Sequence, residues 1–197
     1  MPYLFDPLYF LLQNLKFFIS GGLIITVLLI IINLKDDAFY YKRGRKKYDS
    51  GNKTGAIQDY NKAIEINPQL AQAYTSRGLA KYNLGDKEGA IQDYTTAIKL
   101  DRQDAFAYYG RGIARRALGD KEGAIQDFNK AIHFNPQDAK AYSNRGIAKA
   151  QLGDKTGAFT DFEKAKQLFI EQGDMEAYKD AIEAKNLASE HFARKGQ

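Results

Sequence analysis

The chain has 197 residues, 44% of them hydrophobic and 27% charged, with 29 Lys and Arg against 24 Asp and Glu for a net charge of +5. That length supports one or two cores of ordinary size, and charge so modest and interspersed argues against a nucleic-acid footprint, so no nucleic-acid partner is expected. The absence of cysteine excludes disulfides and thiolate metal centres.

Residues 1–16 read as a short, aromatic-rich tail, in which Pro2 and Pro7 preclude a regular helix at the start. Residues 17–34, FFISGGLIITVLLIIINL, run for 18 positions without a charge. As a helix that stretch spans about 27 Å, against a hydrocarbon core of about 30 Å. Leu, Ile, Phe and Val each favour insertion by about 0.3–0.6 kcal/mol and outweigh Ser20, Thr26 and Asn33, so a transmembrane helix is expected over 17–34. A cleavable signal needs a basic start, a shorter apolar run and small residues before the cut, whereas this run ends in Asn33-Leu34-Lys35-Asp36-Asp37. A buried soluble helix would need a segment able to enclose it on all sides, and amphipathic helices do not supply one. Lys35, Lys42, Arg43, Arg45, Lys46 and Lys47 follow the run, and upstream there is only Lys16. The expectation is a single-pass membrane protein with its main domain cytoplasmic and its N-terminus outside.

The remainder is periodic. Shifting residues 105–138 by 34 positions superposes them on 71–104, a second shift reaches 37–70, and a forward shift reaches 139–172. Each unit reads as two antiparallel helices broken at Ser50-Gly51-Asn52, Leu84-Gly85-Asp86, Leu118-Gly119-Asp120 or Leu152-Gly153-Asp154. Glycine there can end one helix in the left-handed conformation, and the next residue's side chain can cap the following helix. Arg43, Arg77, Arg111 and Arg145 recur before the first-helix glycines, and Asp59, Asp93, Asp127 and Asp161 recur in the second helices. They predict salt bridges of the partly exposed kind, worth under about 1 kcal/mol each. The glycines themselves are expected to let a second helix approach at Ala56, Ala90, Ala124 and Ala158. Residues 173–197 follow, with Gly173-Asp174 as a stop and a new cap and then one amphipathic helix expected to close the array.

A period of 34 is that of tetratricopeptide repeats (TPR), and the residues resemble that family. Its aromatic falls at Tyr40, Tyr74, Tyr108 and Tyr142, and its glycine at Gly44, Gly78, Gly112 and Gly146. Its second-helix aromatic falls at Tyr60, Tyr94, Phe128 and Phe162, and its closing proline survives as Pro68 and Pro136, with Arg102 and Ile170 in the other two units. The resemblance implies an all-α, right-handed α-solenoid of four helix-turn-helix repeats with a C-terminal capping helix, preceded here by the one transmembrane helix. It also implies that a partner protein or peptide binds in a concave groove lined by the first helices. Carried over by position, the groove residues are Tyr41, Arg45, Tyr48, Thr75, Leu79, Tyr82, Tyr109, Ile113, Arg116, Ser143 and Ile147. Phe106 and Lys140 are expected to flank them, and Asn144 is the survivor of an asparagine ladder. Leu79, Ile113 and Ile147 could equally support packing between helices. The two-carboxylate clamp of some family members is absent, because its places hold Tyr41, Arg45, Ser76, Phe106 and Gly110.

No P-loop, H-E-x-x-H or nucleophile elbow occurs, and the two histidines, His133 and His191, stand apart from any partner set. No enzyme activity, catalytic residue, metal or cofactor is expected. The reading is a membrane-anchored adaptor that presents a groove to a partner protein in assembly of a membrane complex. The alternative is a structural subunit whose repeats act as a spacer. The sequence names neither the partner nor the oligomeric state.

Overall fold

The computed structural model describes residues 36–195, and among them every regular element is an α-helix. The nine are α1 (Asp37–Asp49), α2 (Lys53–Ile66), α3 (Ala71–Asn83), α4 (Lys87–Leu100), α5 (Ala105–Ala117), α6 (Lys121–Phe134), α7 (Ala139–Gln151), α8 (Lys155–Gln172) and α9 (Met175–Lys195). Each helix packs on its neighbours in the chain, and the contacts extend no further than the next unit, which makes the array an all-α solenoid. The tail expected over 1–16 and the transmembrane helix expected over 17–34 lie outside the described residues. Among the described residues no helix is long and apolar enough to cross a membrane.

The turns inside the helix pairs are locally determined. Gly51, Gly85, Gly119 and Gly153 sit at φ of 85° to 92°, where a side chain would be strained. The next residue then caps the second helix: Asn52, Asp86, Asp120 and Asp154 accept from the amides of Gly55, Gly89, Gly123 and Gly157, each at 2.9 Å. The link from α2 to α3 differs, since Leu70 offers no side-chain cap.

The first-helix glycines make room chiefly for a ring. A Cβ on Gly112 would stand 2.7 Å from Cε1 of Phe128, and one on Gly44 would stand 2.7 Å from Cε1 of Tyr60. The facing alanine contributes only its backbone, with the Ala56 carbonyl oxygen 3.3 Å from the Gly44 position. The expected approach of the second helix is present at Ala56, Ala90 and Ala158, whose carbonyl oxygens lie 3.2–3.3 Å from the glycine positions, and the glycines also admit the buried rings of Tyr60, Tyr94, Phe128 and Phe162.

The recurrent ion pairs are partly exposed on one side only: Asp59, Asp93, Asp127 and Asp161 retain 2–4% of their surface, while their arginine side chains keep 13–40%. Each carboxylate accepts two hydrogen bonds from its arginine, as Asp93 does from Nε and Nη2 of Arg77 at 2.9 and 2.6 Å. A second cation one helical turn on completes the set: Lys47, Lys81, Arg115 and Lys149 lie 2.8–2.9 Å from the same carboxylates. In addition Arg77, Arg111 and Arg145 donate through Nη1 to Asn61, Thr95 and Asn129 of the preceding unit. One side chain therefore closes a helix pair and joins it to its neighbour.

α9 follows the register of the earlier first helices. Asp174 caps it through the Ala177 amide at 3.0 Å, as Asp138 caps α7 through Ala141 at 3.1 Å. Ala177, Tyr178 and Lys185 stand where Ala141, Tyr142 and Lys149 stand in α7. Ala181 and Ile182, however, replace the Arg-Gly pair. Ala181 and Ala188 are buried against α7 and α8, and Lys185 crosses to Glu163 at 2.5 Å.

Candidate functional site

The first helices of successive units, α1, α3, α5 and α7, touch one another, while α2, α4, α6 and α8 meet only their own partners and the next first helix. Closer approach on one side curves the array toward that side, so its inner surface belongs to the first helices. The side chains named from the sequence divide there into three groups.

Some tie neighbouring units together. Tyr41 packs on Tyr60 at 6.0 Å between ring centroids and accepts from the Ser76 hydroxyl at 3.5 Å. The Tyr48 hydroxyl accepts from the Asn83 amide. Thr75, which is buried, donates at 2.7 Å to Asp104, the residue of its own unit that caps α5 of the next. Tyr109 lies on Phe128 at 6.0 Å and accepts from Asn144, whose side-chain carbonyl receives Arg116 at 3.2 Å. Burial pushes the hydroxyls of Tyr60 and Tyr109 up to about 12.

A second group supports packing. Ile113 joins the cluster of Ala124, Phe128 and Ala148; Ile147 joins that of Ala150, Ala158, Phe162 and Ala188; Tyr82 lies against the Tyr94 cluster. Leu79 and Ser143 are half-buried. The third group is open to solvent: Arg45, Phe106 and Lys140 are exposed, Phe106 to 49%.

Phe106, Tyr109 and Lys140 line one open depression of about 530 Å³, together with Asn135, Gln137, Asp138, Ala139, Phe169, Gln172 and Asp174. None of these seven was among the expected site residues. Phe169 and Gln172 arrive because α8 has 18 residues where α2, α4 and α6 have 14. The missing proline at Ile170 is a sequence signal for that extension but not a sufficient one, since α4 also lacks it, at Arg102, and still ends at Leu100. Burial of Leu168 and Phe169 beside Ala181 of α9 carries the helix on. Gln172 then donates to the Gln137 carbonyl at 2.7 Å. Among the described residues no group of His, Asp and Glu is arranged to hold a metal.

Two family models match the chain, one described as TPR repeat over residues 44–85 and one as tetratricopeptide repeat over 75–139 and 109–172. No curated protein matches in sequence. Among solved structures, the first TPR of Spaghetti (RPAP3), bound to the HSP90 peptide SRMEEVD, is 26% identical; it covers 60% of this chain and 94% of its own, with a TM-score of 0.59. The Arabidopsis OM64 TPR domain is 28% identical and covers 60% of this chain and 98% of its own, with a TM-score of 0.59. MamA, 24% identical over 81% of this chain and 93% of its own with a TM-score of 0.62, shares the fold.

Proposed function

The chain belongs to the tetratricopeptide-repeat family, and from that premise we propose that it is a membrane-anchored adaptor whose inner face holds a segment of a partner protein. The observation that supports the groove reading is the depression lined by Phe106, Tyr109 and Lys140, where an exposed aromatic and an exposed cation share one opening with Asp138 and Asp174. Aromatic anchors beside a cation suit a peptide with apolar and acidic residues. The related Spaghetti domain carries a peptide of mixed apolar and acidic character. Its HSP90 peptide is not transferred to this chain, because Tyr41, Arg45, Ser76, Phe106 and Gly110 do not reproduce the carboxylate clamp.

Anchorage rests on the uncharged run over 17–34 and on the basic residues after it, which favour cytoplasmic repeats. No residue set suggests catalysis. Affinity isolation of the full chain from detergent extract, alongside Phe106→Ala and Lys140→Glu forms, tests the adaptor. Exchangeable partners that either substitution releases support it; a stoichiometric membrane complex indifferent to both would replace it with the spacer subunit.

A further inference from the structure

The outer face of α1 differs from the same face of every later first helix. In α3, α5 and α7 the third and tenth residues are alanines with no exposed surface, Ala73, Ala80, Ala107, Ala114, Ala141 and Ala148, pressed on the preceding unit. In α1 those places hold Phe39, 41% exposed, and Lys46, also exposed. With Lys42 and Arg43 they follow the i, i+3, i+4, i+7 spacing, one stripe on one side of the helix. The Arg43 side chain is 40% exposed, against 13–17% for Arg77, Arg111 and Arg145. Its guanidinium lies 5.3 Å from the centre of the Phe39 ring.

A lysine where the array buries alanine precludes docking of another repeat there, because a charge would be taken out of water without a partner. What the stripe adds to a solvated face is one exposed aromatic beside two exposed lysines, Lys42 and Lys46, with Arg43 next to them already paired to Asp59. The position of the stripe supplies the occupant. The uncharged run ends at Leu34 and α1 begins at Asp37, three residues on and at most about 11 Å away. The first turn of α1 therefore lies within about 16 Å, or two Debye lengths of about 8 Å, of any bilayer that run crosses. An aromatic with Lys and Arg is also the composition that settles at a membrane interface.

We propose that the stripe Phe39, Lys42, Arg43 and Lys46 is a lipid-facing surface that seats the first repeat on anionic headgroups. This rests on the membrane-anchor reading. It gives the solenoid a fixed attitude to the bilayer instead of leaving it to swing on a short tether.

The test uses the full chain reconstituted in vesicles of phosphatidylcholine alone or with added phosphatidylglycerol, and follows amide hydrogen exchange in α1. Anionic vesicles should slow exchange there, by roughly five-fold for each basic side chain that reaches the surface. High salt, or Lys42→Gln with Lys46→Gln, should remove the protection, while α5 stays unchanged. Arg43 is left alone because it also holds Asp59. Firm insertion with equal α1 exchange in both lipids would overturn the lipid-facing surface and spare the anchor. Release of the chain by an alkaline wash would overturn both. Protection that depends on protein density and not on lipid charge would assign the stripe to a second copy of the chain instead.

Discussion

Arg111 and Asp127 meet as a two-point fork, Nε and Nη2 donating to Oδ2 and Oδ1 at 2.9 and 2.7 Å, with Asp127 almost wholly buried. Arg115 reaches the same carboxylate at 2.8 Å, and Arg111 also bonds Thr95 of the unit before. Loss of the carboxylate would leave two cations facing each other in a nearly closed space. Asp127→Asn should therefore destabilise the array by about 3 kcal/mol, as removal of one partner of a buried pair does. Asp59→Asn should be milder, because Arg43 is the most exposed of the four arginines. Equal and small urea-midpoint shifts for both would return these pairs to the surface class.

Gly112→Ala places a methyl 2.7 Å from the Phe128 ring, which is itself pinned in the core. Alanine ordinarily favours a helix by up to about 1 kcal/mol over glycine, but overpacking costs about 1–3 kcal/mol, so a net loss is expected. A rise in melting temperature would show that Phe128 moves aside freely.

Stability should fall at both ends of the pH scale. The Arg43 hydrogen bond holds the Asp59 carboxyl below the usual range. A depressed folded value contributes stability above the unfolded value of about 3.9, and that contribution is lost as pH falls through the folded one. Burial instead raises Tyr60 and Tyr109 to about 12. Their contribution is complete below the unfolded value of about 10 and is lost as pH rises toward the folded one. Tyr60→Phe should blunt the alkaline loss with little effect at neutral pH, since Phe128 and Phe162 already fill the corresponding sites. Melting curves from pH 3 to 12, in roughly unit steps, provide the check.

At the groove, Phe106→Ala and Lys140→Glu should weaken partner binding by at least about 1 kcal/mol while leaving the melting temperature nearly unchanged, because both side chains are exposed. Tyr109→Ala should lower both, since Tyr109 packs on Phe128 and accepts from Asn144. A partner indifferent to all three would place its binding elsewhere on the array.

Protease added outside intact cells should leave the repeats uncut, because Lys42, Arg43, Arg45, Lys46 and Lys47 follow the uncharged run. Cleavage within the repeats from outside would reverse the proposed orientation.

Much of the array was legible in the chain because its determinants are local. A 34-residue period, a glycine that must adopt φ near 90° and a capping Asp or Asn in the next place are all properties of short segments, and together they specify paired helices without any knowledge of neighbours. Burial is different, because it is conferred by parts of the chain distant in sequence. That Asp59, Asp93, Asp127 and Asp161 are buried follows from helices 16 residues apart closing over them. The same reason explains why Tyr41, Tyr48 and Tyr109, which as residue types suit a binding groove, are held by Ser76, Asn83 and Asn144 from the next unit. It explains too why Phe169 and Gln172 reach Phe106 and Lys140 only through the extension of α8 against α9. Sequence period determines which residues are equivalent; only the packed array decides which of the equivalents keep a free side chain, because each unit's exposure is set by the unit before and the unit after it.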